Sequence, residues 1–137
     1  MEDCIFCKIA SEEIPSEIIW KDSNFVATLD INPVTSGMTL VIPKKHYDSY
    51  IFNSDNDFIK DVMIVSKTVA KMLETAFKVK KVAVIFEGLE VNHLHVKMFP
   101  LKERDFIRKI LNSNYPKPTP DELHKIAQEI INKNKED

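Results

Sequence analysis

The spacing of apolar residues changes character along the chain. Short apolar blocks at 18–20, 25–29 and 38–42 are separated by turn residues: Lys21, Asp22, Ser23 and Asn24 after the first, Asn32, Pro33, Thr35, Ser36 and Gly37 before the third. Blocks of this length between polar breaks predict strands, and the tight connections predict antiparallel pairing. The period then becomes helical. Phe58, Val62, Val65, Val69, Met72, Leu73, Ala76 and Phe77 recur at three- and four-residue steps, with lysines on the opposite side. This predicts a helix over 56–77, capped by Ser54 or Asp55. Strands follow at 82–86 and 91–99, with a turn at 87–90 between them. Shorter helices are predicted at 101–112 and 121–133, the latter with Leu123, Ile126, Ala127, Ile130 and Ile131 as its apolar side. Strands, helix, strands and helices make an α+β fold with a mainly antiparallel sheet of about five strands.

Composition narrows the function. The 137 residues fit one domain at roughly 100–200 residues per domain. Lys plus Arg is 19 and Asp plus Glu is 21, for a net charge of −2. That excludes a strongly basic surface and predicts no nucleic-acid partner. No apolar run approaches the roughly 18–20 residues that span a bilayer, so no membrane partner is expected. The first residues are acidic where a secretory signal is basic, which makes a cytoplasmic location the expectation. Gly37 and Gly88 are the two glycines. A glycine-rich phosphate loop of the P-loop or Rossmann kind cannot be built from them.

Cys4 and Cys7 form a CxxC. In a reducing compartment a structural disulfide is not expected. The pair is open to reading as half of a zinc site, as a redox pair, or as two thiols without a task. Further ligands must come from a small supply: His46, His93, His95 and His124.

The densest chemistry is His93-Leu94-His95-Val96-Lys97. In a strand, alternate side chains share a face, which puts His93, His95 and Lys97 together and Leu94, Val96 and Met98 on the core side. A solvated polar face would account for any polar residues there. Two of four histidines in one such row favour a functional face instead. Imidazole can bind metal, move a proton or attack phosphorus near neutral pH. A lysine beside it can hold phosphate oxygens and offset developing charge.

The run His93-Leu94-His95-Val96-Lys97-Met98-Phe99 resembles the histidine triad (HIT) motif, in which three histidines alternate with hydrophobic residues. Two other stretches are similar to the same family. One is Cys4-Ile5-Phe6-Cys7-Lys8-Ile9 with Ile14-Pro15-Ser16-Glu17-Ile18-Ile19-Trp20. The other is Leu29-Asp30-Ile31-Asn32-Pro33-Val34 with Gly37 and Leu40-Val41-Ile42-Pro43-Lys44-Lys45-His46. Together they span about residues 4–100, so the resemblance implies a HIT domain over 1–100 and a C-terminal helical extension over 101–137.

The resemblance also implies roles. His95 would be the nucleophile on the α-phosphorus of a purine nucleotide, forming a nucleotidyl-histidine that water then hydrolyses. Lys97 would contact phosphate, Asp30 would hold the ribose, and Ile5, Phe6, Ile9, Leu29 and Ile31 would form the base pocket. Cys4, Cys7, His46 and His93 would hold a structural Zn²⁺ in a closed Cys₂His₂ set, and His124 would stay an exposed helix residue. Family members usually pair as homodimers. The implied substrates are phosphoramidates, adenylates or dinucleoside polyphosphates.

Three departures from the family pattern stand out. Lys97 replaces the third histidine. The link from Phe86 to His93 is short and poor in glycine, and Glu90 stands where a small hydroxyl residue is usual. A carboxylate there would repel phosphate unless Lys97 neutralised it. These departures keep a second reading open, a zinc-stabilised nucleotide sensor or scaffold with little catalysis. A thiol redox protein is the third.

Overall fold

The computed structural model describes residues 3–104, 108 and 114–135. Its elements are α1 (Ile5–Ala10), β1 (Ile18–Lys21), β2 (Phe25–Leu29), β3 (Thr39–Pro43), a 3₁₀ turn (Ile51–Asn53), α2 (Asn56–Phe77), β4 (Val82–Ile85), β5 (Val96–Pro100) and α3 (Pro120–Lys133). The five strands form one sheet in the order β1-β2-β3-β5-β4. Every neighbouring pair is antiparallel. The fold is α+β, as the pattern predicts. The helix predicted over 101–112 lies for the most part outside the described residues.

Register assigns each residue to a face. Ala27 sits opposite Val41, and Val41 opposite Val96. These three, with Leu94 and Met98, join the larger core cluster, which α2 and α3 complete. Each fully buried aliphatic there contributes about 1.5–3 kcal/mol relative to exposure. The alternate residues Val26, Leu40, Ile42 and Phe99 turn to the other face. They form a smaller cluster with Ala10, against which Phe6 and Ile9 pack. This second face is only partly covered, and the cleft described below opens there.

Helix α2 spans the predicted range. Asp55, not Ser54, caps it by accepting a hydrogen bond from the Phe58 N–H at 2.9 Å. Its buried stripe contains Phe58, Val62, Val65, Val69, Leu73 and Ala76. Phe77, at its last turn, packs on Gly37, whose φ is +87°. A Cβ at Gly37 would come within 2.3 Å of the Phe77 ring, so only glycine fits. Helix α3 starts with Thr119 capping Glu122 N–H and Pro120 in its first turn. It buries Leu123, Ala127 and Ile130. Lys133 Nζ and Asn134 Nδ2 donate to the Ala76 and Met72 carbonyls at 3.0 and 3.1 Å, satisfying acceptors at the end of α2.

Two local expectations are corrected. The last strand does not run over 91–99. It begins at Val96, and residues 91–95 are irregular because the His93 backbone turns to bring its ring to the end of β3. The six-residue helix α1 has no counterpart among the predicted elements. So short a helix is unstable alone. It is held by the Cys4 cap on Cys7 N–H and by burial of Ala10.

Candidate active site and metal centre

The metal-type cluster is assembled from three separate stretches. Cys4 and Cys7 come from the start of α1, His46 follows the end of β3, and His93 precedes β5. The one ligand atom offered by each residue lies within 4.8 Å of all the others. His93 is fully buried. Its Nε2 is 2.9 Å from the carbonyl of Pro43. A carbonyl only accepts, so Nε2 carries the proton and Nδ1 keeps its lone pair. Nδ1 lies 3.3 Å from both Cys4 Sγ and Cys7 Sγ, and His46 Nδ1 is 3.4 Å from Cys7 Sγ. Tetrahedral zinc with Zn–S of about 2.3 Å and Zn–N of about 2.0–2.1 Å has N···S edges of about 3.5 Å. The donor set therefore fits zinc in both chemistry and spacing. Burial, followed by the neighbouring Cys4, pushes the Cys7 thiol above its ordinary pKa. A divalent cation reverses that preference by binding thiolate. Burial also pushes His93 down, which favours the neutral ring a metal needs.

His95 lies two residues on and is also buried. Its Nδ1 is 2.8 Å from the His93 carbonyl, so this nitrogen carries the proton. Nε2 is left as the basic nitrogen and has no hydrogen-bond partner among the described residues. The Phe6 ring meets the His95 ring edge-on at 4.7 Å between centroids, which links the imidazole to α1. Burial lowers the His95 pKa, and Lys97 adds to that, against the hydrogen bond to His93. The lowered pKa favours the neutral form of the ring.

One cleft of about 500 Å³ gathers the remaining residues of interest. Ile5, Phe6, Ile9, Leu29, Asp30, Ile31, His95 and Lys97 all line it. Ile5 and Ile31 are 46% and 53% exposed, so two large apolar side chains sit open at its rim. Asp30 follows β2. One carboxylate oxygen accepts from Asn32 N–H at 2.8 Å, which orients the group. A second cavity of about 240 Å³ shares Leu29, Asp30 and Met38 with the cleft and is lined beyond them by Tyr115, Pro116, Lys117 and Pro118. The segment leading into α3 therefore reaches the far side of Asp30.

Sequence reasoning missed two residues in the cleft. Lys97 is paired with Glu87, not Glu90, at 2.5 Å. Ile85 is the register partner of Lys97, and Glu87 lies two residues beyond it, a diagonal neighbour across the strands. That register was the available signal, hidden because 87–90 reads as a turn. The Lys97 hydrogen bond holds the Glu87 carboxyl below the usual carboxylate range, against burial. Ser16 is the other: its hydroxyl oxygen is buried on the cleft wall without a hydrogen-bond partner among the described residues. His124 is largely exposed and contacts Glu17 at 3.1 Å, away from the metal-type cluster. Among the described residues, no helix is long and apolar enough to cross a membrane.

Comparison with known proteins agrees with this geometry. A model of the HIT domain matches residues 11–104. An uncharacterized HIT-like protein of Methanocaldococcus jannaschii is 38% identical over 105 residues, covering 74% of this chain and 81% of that protein. The adenosine 5′-monophosphoramidase HNT1 of Saccharomyces cerevisiae is 33% identical over 101 residues, 73% of this chain and 63% of that one. The crystal structure of a hypothetical histidine triad nucleotide-binding protein from Sulfolobus tokodaii matches with a TM-score of 0.81 at 28% identity, over 97% of this chain and 93% of that chain. With the domain model spanning most of its length and the sheet, the paired histidines and the cleft all in place, this chain belongs to the HIT family.

Proposed function

We propose that the protein is a nucleotidyl hydrolase or transferase that acts on a purine nucleoside 5′-phosphoramidate or a related α-phosphate derivative. The observation that carries this reading is the His95 ring: buried, with its Nδ1 proton directed to the His93 carbonyl and its Nε2 left without a partner among the described residues. The yeast relative is named an adenosine 5′-monophosphoramidase, which agrees in substrate class.

Each residue then has a task. The purine lies between the apolar side chains of Ile5, Phe6, Ile9, Leu29 and Ile31. The free oxygen of Asp30 accepts from the ribose hydroxyls. The Nε2 lone pair of His95 forms a bond to phosphorus as the bond to the leaving nitrogen breaks, and that nitrogen keeps the electron pair. Water then adds to phosphorus, and the electron pair of the P–N bond returns to Nε2. The leaving nitrogen takes a proton from solvent as it departs and a second once free, ending as ammonium; the attacking water gives its two protons back to solvent, and the other product is the nucleoside monophosphate. Lys97 is paired with Glu87, so it offsets phosphate charge only where the substrate phosphate displaces that carboxylate.

Cys4, Cys7, His46 and His93 would hold a structural zinc ion, which supplies rigidity and takes no part in the displacement. Its ligands connect α1 to the His95 segment, and Phe6 on α1 contacts the His95 ring. The HIT domain is residues 1–100, with 101–137 as a C-terminal extension whose residues 115–118 line the cavity beside Asp30. Val84 and Ile85 on the edge strand β4, and Met63 and Ile64 on α2, are exposed apolar residues suited to a homodimer contact. A cytoplasmic location completes the reading.

The test is incubation with adenosine 5′-phosphoramidate, followed by intact-mass analysis during turnover. The expected results are release of AMP and a covalent nucleotidyl adduct on His95. Absence of both would refute the reading. The engagement of Lys97 by Glu87 favours one second reading, a nucleotide sensor. AMP binding by calorimetry without turnover of any substrate would select it.

A further inference from the structure

Beyond His95, the cleft is lined by Glu87, Glu90, Val91 and Lys97. The charges there do not balance. Lys97 is held by Glu87, so that ammonium and that carboxylate compensate each other. Glu90 is exposed and has neither a hydrogen bond nor an ion pair among the described residues. One uncompensated negative charge therefore remains at this end.

The geometry says what part of a substrate meets it. Attack requires phosphorus within roughly 3–3.5 Å of the imidazole nitrogen. The apolar wall from α1 takes the base, and Asp30 takes the ribose. The remaining wall, formed by Glu87, Glu90, Val91 and Lys97, is left for the group that departs. In-line displacement sends that group away from His95.

We propose that Glu90 makes this site select nucleotidyl substrates whose leaving group carries a positive charge, such as phosphoramidates of amines bearing a second, cationic group. The inference rests on the nucleotidyl-transfer reading above. A leaving group that adds negative charge, as a polyphosphate chain does, meets Glu90 with Lys97 already engaged. A leaving group with an ammonium pairs with Glu90 as it departs. The bonds formed and broken are those already given; the second cationic group is unchanged in the product.

The test uses three adenosine 5′-phosphoramidates that differ at one end of the leaving amine: 2-aminoethyl, 2-hydroxyethyl and 2-carboxyethyl. kcat/KM is measured for the full-length wild type, for Glu90→Gln and for Glu90→Lys, at low and high salt. Wild type is expected to prefer the cationic over the anionic substrate by about tenfold at low salt, and by less at high salt. Glu90→Gln is expected to cut that ratio by about threefold or more, and Glu90→Lys to reverse it. Turnover of all three at similar rates by the wild type, or a ratio unmoved in both variants, overturns this inference and leaves the nucleotidyl-transfer reading standing. Release of no amine from any of the three overturns both.

Discussion

The two buried histidines of the motif are the same residue type, two positions apart, yet the fold prepares them for different chemistry. In the metal-type cluster, His93 donates from Nε2 to the Pro43 carbonyl and turns Nδ1 to the cysteine sulfurs. In the cleft, His95 donates from Nδ1 to the His93 carbonyl and keeps Nε2 free. Each ring has one nitrogen locked by a carbonyl, and the lock is on opposite nitrogens. What surrounds the free nitrogen then decides its use: two thiols in one case, an open cleft in the other. In the proposed reading the same imidazole becomes a ligand or a nucleophile through its backbone partner, a detail residue spacing does not carry.

The sharpest way to break this contrast is to replace each ring by glutamine. His95→Gln is expected to lower turnover of adenosine 5′-phosphoramidate by about three orders of magnitude or more, with metal content unchanged. His93→Gln is expected to lose bound metal, and its turnover falls because α1 and the cleft loosen. Steady-state kinetics and metal analysis on both variants separate the roles. Equal metal loss in the two variants would mean that His95 belongs to the cluster after all.

Removing the metal comes next in size. About one zinc per chain is expected in the purified protein. Stripping it with a chelator, or replacing Cys7 by Ser, is expected to lower Tm by about 10 °C or more, because a closed Cys₂His₂ site contributes its binding energy to folding. Calorimetry with and without chelator checks this. An unchanged Tm would leave the cluster as thiols and imidazoles that merely lie close together.

The fold was largely legible from periodicity. The blocks at 25–29 and 56–77 match β2 and α2 residue for residue, because each is bounded by a strong break: Asp22 to Asn24 before β2, and the Asp55 cap before α2. The faces of Leu94, Val96 and Met98 were legible for the same reason. What was not legible depends on partners distant in sequence. The six residues of α1 cannot form a stable helix alone and depend on the second face of the sheet. The irregular 91–95 stretch reads as strand by alternation, and only the reach of His93 to Pro43 displaces it. The Glu87–Lys97 pair needs the β4–β5 register, which a short apolar block does not specify. The cleft residues were found because they lie at strand ends and on α1, where the motifs had already drawn attention. Ser16 carried no such signal.

A smaller effect separates the cleft from the metal centre through backbone geometry. Gly37 holds the turn between Asp30 and β3 against Phe77, at a φ that disfavours any other residue. Gly37→Ala is expected to cost about 1–3 kcal/mol. It should also weaken AMP binding, since the turn carrying Asp30 must shift, while zinc content stays at wild-type level. Denaturant unfolding, calorimetry with AMP and metal analysis test the three parts. A parallel loss of zinc would show that the two regions are not independent.

The smallest expected effect concerns the ion pair at the cleft wall. Lys97 donates to Glu87 and holds that carboxyl below its ordinary value near 4.5. A carboxyl whose pKa is lower folded than unfolded stabilises the fold above the unfolded value, and that contribution is lost as pH falls through the folded value. Glu87→Gln removes it. The side chains of Lys97 and Glu87 are 26% and 33% exposed, so solvent screening limits the effect to about 1 kcal/mol or less. The Tm of wild type should exceed that of Glu87→Gln at pH 7, and the gap should close in acid below the ordinary carboxylate range. Comparing the two proteins at each pH cancels the loss of metal they share there. A gap that stays constant with pH would mean that packing, not charge, holds Lys97, and its ammonium would then be available to phosphate.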